Sequence, residues 1–182
     1  MYLFYFDLDN TLMKTDKMLF FKNLVFNNTQ TDKNKYYNYL NKTYEMNIKK
    51  DNQLYELLKK IPSPKYIITN GSRTHCLLSL KCLGIFNQFQ GGVDANSVSY
   101  KFLKPDIKPY LAALEMSKLN PQQDKGIFFD DIIENHILPK YKLNWITVLI
   151  NSNYNSTNKP KFIDYCFNDI YSALEFFIIN IK

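Results

Sequence analysis

Arginine is almost missing from this sequence: Arg73 stands alone among 23 basic side chains, and the rest are lysines. Arginine reads phosphates and guanines through a two-pronged fork, so its near-absence argues against a dedicated nucleic-acid reader despite a net charge of +6. The lysines are scattered, and we read their surplus as compositional drift of the kind that also gives 14 tyrosines. Cysteine is scarce as well. Cys76, Cys82 and Cys166 form no Cys-x-x-Cys and have no histidine at zinc spacing, which excludes a disulfide scaffold and a structural zinc site. Reduced, partly buried thiols are the expectation. No apolar run approaches the roughly 20 residues needed to cross a bilayer. The N-terminus has neither a basic start nor a small-residue cleavage site, so no secretory signal is visible. A cytoplasmic protein without membrane contact is expected.

What the 182 residues do contain is 46% hydrophobic side chain, enough for a sizeable core in one domain carrying a modest insertion. Tyr2–Phe6 reads as a strand buried on both faces, as a parallel sheet requires. From about Lys14 to Lys60 the composition shifts to Lys, Asn, Tyr and Asp at helical spacing. Thr15 or Asp16 is a candidate cap for a helix through Phe26, Thr29 or Thr31 for one to Met46, and Asp51 for a third with Leu54, Leu57 and Leu58 inward. Strands are then expected at 65–69, at 126–129, 145–150 and near 162–167, with a turn or short strand at 91–94. Helices are expected from Ser72 to Leu83, stopped by Gly84; after Lys104-Pro105-Asp106 to about Lys118, with Asp106 near its N-cap and Tyr110, Leu111 and Leu114 packed; from Ile133 to Leu138, stopped by Pro139; and from Asp169 to Ile179. Alternating strands and helices give an α/β parallel sheet.

Three of the apolar strands end in polar residues: Asp7-Leu8-Asp9, Thr69-Asn70 and Asp130-Asp131. In a parallel sheet the C-terminal strand ends share one edge, where ligands bind, so these distant residues should converge. Asp7 and Asp9 leave the same face if extended geometry persists. Several carboxylates in one crevice repel and protonate unless a cation neutralises them. With no histidine or cysteine in the set, a hard ion is selected, and Mg²⁺ is the best guess. Such a site can do nucleophilic phosphoryl chemistry. Asp7 would attack phosphorus, and Asp9 would protonate the leaving oxygen and then deprotonate the attacking water. The Thr69 hydroxyl, loop N–H groups near residues 8–10 and 70–71, and Lys104 would hold the charged oxygens.

Phe6-Asp7-Leu8-Asp9-Asn10-Thr11-Leu12 resembles motif I of the haloacid dehalogenase-like superfamily. Ile68-Thr69-Asn70-Gly71 resembles motif II, Lys104-Pro105 motif III, and Phe128-Phe129-Asp130-Asp131 motif IV. All four occur in order. The resemblance implies a Rossmann-like parallel sheet flanked by helices, residues 1–13 and 61–182, with a small helical C1-type cap, residues 14–60, inserted after the first strand. It makes Asp7 the nucleophile and a metal ligand, and Asp9 the acid/base and a ligand through its backbone carbonyl. Asp130 ligates directly, and Asp131 directly or through water. Thr69, Asn70 and Lys104 take the phosphoryl group. Haloacid dehalogenases lack the second motif I aspartate, because a departing halide needs no proton, so Asp9 points to a phosphatase. Thr69-Asn70 with His75 and Leu83-Gly84-Ile85 is similar to the pyrimidine 5′-nucleotidase branch.

The expected activity is thus Mg²⁺-dependent hydrolysis of a small phosphomonoester through an aspartyl-phosphate, with a nucleoside 5′-monophosphate leading. The alternatives are a sugar phosphate, a phosphorylated macromolecule, or a non-catalytic binding protein of the same fold. His75 reads as a helix-surface histidine, Asn135 as a brace for the following helix, and Tyr36, Tyr37 and Tyr44 as cap core.

Overall fold

The architecture was obtained as a computed structural model, which describes residues 1–15 and 30–181, and side chains outside 30–37. Six strands form one sheet: β1 (Tyr2–Phe6), β2 (Lys65–Ile68), β3 (Gly91–Val93), β4 (Lys125–Asp130), β5 (Ile146–Ile150) and β6 (Tyr165–Phe167). Their order is β3-β2-β1-β4-β5-β6, with every pairing parallel. The topology reverses direction between β1 and β4, and that reversal opens a crevice at the C-terminal strand ends. Register levels the crevice: Phe6 pairs with both Phe129 and Ile67, so the residues following β1, β2 and the end of β4 arrive at one height.

Among the described residues there are six helices: α1 (Gln30–Asn47), α2 (Asn52–Lys60), α3 (Arg73–Leu83), α4 (Lys108–Ser117), α5 (Ile137–Leu143) and α6 (Ile170–Asn180). Strand alternation divides the core between the two faces. Phe4 and Phe6 point to one face, where Leu54 and Leu58 of α2, Leu80 of α3 and Phe177 of α6 close over them. Leu3 and Tyr5 point to the other, against Tyr110 and Ala113 of α4 and the buried Trp145. Tyr5 and Trp145 stack at 4.4 Å between ring centroids. Among the described residues no helix is long and apolar enough to cross a membrane.

Local signals account for most boundaries. Asp51, Ser72 and Asp169 cap α2, α3 and α6 by accepting the N–H of Leu54, His75 and Ser172. Gly84 ends α3 in the left-handed region, φ 76°, which a residue with a Cβ enters at a cost. The helix after Lys104-Pro105 begins at Lys108 with Asp106 near its N-cap, as expected: the Asp106 carboxylate accepts the Lys108 N–H (2.9 Å), and Lys104 sits in the preceding loop. Three expectations need correction. Leu111 on that helix is exposed. Pro139 does not stop a helix: it occupies the first turn of α5, where a missing N–H is harmless, and the helix runs to Leu143 after a 3₁₀ turn at Ile133–His136. The final strand is shorter than expected, starting at Tyr165. The helix expected from Thr15 or Asp16 to Phe26 lies outside the described residues, as do a Thr29 cap and the side chains of Tyr36 and Tyr37. No cysteine is in a disulfide; Cys76 is buried and the other two are partly so.

Candidate functional site

The site begins where β1 leaves the sheet. The Asp7 N–H still donates to the Phe129 carbonyl (2.8 Å), after which the chain folds back, with Leu12 and Met13 N–H both donating to the Leu8 carbonyl. Asn10 takes the left-handed conformation this requires, φ 59°. The turn keeps Asp7 in the crevice, buried, and sends Asp9 outward to partial exposure.

Lys104 joins the strand ends. Its buried ammonium donates to Asp7 Oδ1 at 2.7 Å and to Asp130 Oδ2 at 2.6 Å, across 97 and 26 positions of sequence. The loop that carries it is clamped from β2's end: Asn70 Nδ2 donates to the Lys104 carbonyl (3.0 Å) and Asn70 Oδ1 accepts the Lys104 N–H (2.8 Å). The side-chain amide of Asn70 is thus committed to Lys104. Thr69 Oγ1 accepts the Gly71 N–H (3.0 Å), which leaves the hydroxyl hydrogen for another acceptor.

Asp130, fully buried at the end of β4, is held from three sides. Asn135 Nδ2 donates to both its oxygens (2.9 and 3.0 Å), the Ile132 N–H to Oδ1 (2.8 Å), and Lys104 to Oδ2. Asn135 therefore braces the aspartate itself, and Tyr110 Oη in turn donates to the Asn135 carbonyl (2.7 Å).

The electrostatics follow from burial. Desolvation, with Asp130 adding, lifts the Asp7 carboxyl well above the usual carboxylate range even against Lys104. Burial would lower the Lys104 ammonium, but Asp130 and Asp7 more than offset it and the net shift is upward. Asp131 is pushed up to about 6, chiefly by burial and then by Asp130. Asp7, Asp130 and Asp131 each offer a carboxylate oxygen, all within 4.8 Å of one another. Three carboxylates without nitrogen or sulfur donors fit a hard divalent cation, whose charge would remove the repulsion that now favours protonation.

Asp9 stands apart from this trio. His75 Nε2 lies 2.9 and 3.0 Å from its two carboxylate oxygens, and His75 Nδ1 lies 2.6 Å from Tyr44 Oη. His75 is thus a half-buried residue of the crevice edge and not the helix-surface histidine expected, whereas Tyr44 is buried in the core cluster, as expected, and adds this hydrogen bond. The available signal was positional: Ser72 caps α3, so His75 falls in the first turn at the crevice edge, next to a glycine that clears space for a ring. Arg73 pairs with Asp94 at the end of β3 (2.9 Å).

No protein-family model and no curated protein sequence matches the chain. Solved structures do. A phosphatase of the haloacid dehalogenase superfamily from Thermococcus onnurineus superposes with a TM-score of 0.69 at 16% identity, over 97% of each chain. A protein assigned as a β-phosphoglucomutase from Thermotoga maritima gives 0.71 at 16% identity over the whole of both chains. The L-2-haloacid dehalogenase of Xanthobacter autotrophicus gives 0.55 at 11% identity, over 72% of this chain and 61% of that one. The fold is that of the haloacid dehalogenase-like phosphatases and dehalogenases.

Proposed function

We propose that the protein is a Mg²⁺-dependent phosphomonoester hydrolase working through an aspartyl-phosphate, and that its substrate is a small metabolite, foremost a nucleoside 5′-monophosphate. The observation that carries the reading is the convergence of Asp7, Lys104 and Asp130, from three separate segments, on one buried point. Asp7, Asp130 and Asp131 would hold the ion, with the Asp9 backbone carbonyl. When bound, the ion neutralises the carboxylates and the phosphoryl oxygens.

An oxygen of Asp7 attacks phosphorus as the bond to the ester oxygen breaks, and Asp9 gives its proton to that oxygen, releasing an alcohol. A water molecule then attacks the phosphorus of the aspartyl-phosphate, giving its proton to Asp9. The Asp7–phosphorus bond breaks, and inorganic phosphate leaves with both carboxyl groups restored. Lys104 and the Thr69 hydroxyl hold the phosphoryl oxygens, and Asn70 aims Lys104. Asp9 favours ester over halide cleavage, since a halide leaves without a proton. The nucleotide preference is supported by the similarity of residues 69–85 to pyrimidine 5′-nucleotidases. Sugar phosphates form the second class, because one structural neighbour is assigned as a β-phosphoglucomutase.

The test is phosphate release with Mg²⁺ over nucleotides, sugar phosphates, phosphopeptides and 4-nitrophenyl phosphate, with Asp7→Asn as the blank. Release by the wild type and a drop of at least about 10³-fold in the variant is expected, the chemistry having lost its nucleophile. Equal release by both refutes Asp7 as nucleophile. No release from any ester refutes the phosphatase reading.

A further inference from the structure

We propose that His75 is the positioning residue for Asp9, and that Tyr44 on α1 holds the imidazole in place for that task. The proposal rests on the phosphatase reading, in which Asp9 gives and takes the proton. Once Asp9 has given up its proton both its oxygens only accept, so in that state the Nε2 atom that faces them carries the hydrogen. In the tautomer that carries its hydrogen on Nε2, Nδ1 presents a lone pair, and the Tyr44 hydroxyl, 2.6 Å away, is placed to donate to it. With both ring nitrogens engaged, the imidazole cannot turn without breaking a bond.

The backbone is shaped around this ring. A Cβ on Gly71 would lie 2.7 Å from His75 Cδ2, so the loop after β2 passes where only glycine leaves room. Ser72 caps α3 through the His75 N–H (3.2 Å), which fixes the residue in the first turn. Asp9 needs such a support. Its side chain is 34% exposed and would otherwise sample several rotamers, whereas the forked contact with Nε2 selects one. Tyr44 belongs to the stretch between β1 and β2, so the seating of α1 against α3 and the aim of Asp9 form one arrangement.

Leaving-group chemistry reads this role. An alkoxide departs only with a proton from Asp9, while 4-nitrophenolate departs with little help. His75→Ala is expected to lower kcat on an alkyl phosphate by about 10²-fold and on 4-nitrophenyl phosphate by less than about tenfold, with small changes in KM, since misplacing a reacting group costs about that factor. His75→Gln, whose amide still donates, recovers part of the loss, and Tyr44→Phe falls between. A residue that only supported the fold would slow both esters alike.

A second readout needs no turnover. The chain has 2 histidines, so ¹⁵N-histidine labelling gives a two-ring NMR spectrum. The His75 Nε2 proton signal is expected to move in Asp9→Ala, and the Nδ1 signal in Tyr44→Phe. An Nε2 signal indifferent to Asp9→Ala overturns the contact and the proposal with it. Equal slowing of alkyl and aryl esters in His75→Ala overturns the positioning role while the phosphatase reading stands. A wild type that cleaves neither ester overturns both.

Discussion

Asp131 and His136 flank the end of β4 and titrate in opposite directions. Asp131 is pushed up to about 6, by burial first and by Asp130 second. His136, buried against the Asp130 carbonyl, is pulled down to about 4, again chiefly by burial. The folded chain holds the Asp131 proton more tightly than the unfolded chain, so that contribution to stability is complete below 3.8 and is lost as pH rises toward about 6. The neutral His136 ring works the other way, contributing above 6.5 and losing ground as pH falls toward about 4. The windows overlap, so the wild-type curve alone hides both, and a variant difference separates them. With chelator present, Asp131→Asn is expected to match the wild type near pH 4. At pH 7 it is expected to be more stable by on the order of 1 kcal/mol, a figure reduced for solvent screening at a partly exposed site. Thermal unfolding of the two proteins from pH 4 to 7 measures it; a pH-independent difference would assign the effect elsewhere.

At the scale of elements, the start of β4 packs tightly against Trp145, the residue that precedes β5. A Cβ at Gly126 would come within 2.6 Å of the Trp145 indole, which is buried and stacked on Tyr5 with no room to retreat. Gly126→Ala is expected to cost about 1–3 kcal/mol by overpacking, read as a lower denaturant midpoint. With Trp145→Phe in the background the penalty should shrink, and additive effects would refute the clash. This contact was invisible in the chain, as were others that join elements. The strand at Tyr2–Phe6 and the helices begun by Ser72 and Asp169 were legible because a run of apolar residues, a capping side chain or a closing glycine is a local signal. Asp7, Asp9, Asp130 and Asp131 were legible because strand ends must share an edge, whereas Lys104, in a loop, was legible only through its resemblance to motif III. The continuation through Pro139 was not, since the harmless first-turn position decided it. The pairing of His75 with Asp9 spans 66 positions and depends on how α3 returns over the β1 loop, which no spacing in the sequence expresses.

For the whole molecule, the ends of β1 and β4 meet only in the folded state, so any ion gripped by Asp7, Asp130 and Asp131 binds the native chain in preference to the unfolded one. Mass action then stabilises the fold, by about 2.7 kcal/mol when the free ion reaches 100 times its Kd. For a chain of this size that corresponds to a rise in Tm of roughly 5–10 °C. The ion must displace protons that burial holds on Asp7 and Asp131, so the rise should be larger at pH 7.5 than at pH 5.5. Lys104 already neutralises part of Asp7 and Asp130, and an ion sharing those oxygens would have to draw one of them away from the ammonium. Asp130→Asn and Asp7→Asn each remove a ligand that belongs to this cluster, and both are expected to lose most of the Mg²⁺ response measured against chelator. If either unfolds too early to score, the other carries the test. Variants that gain as much from Mg²⁺ as the wild type would place the ion on some other group of carboxylates, and the convergence of three segments at the crevice would then serve packing alone.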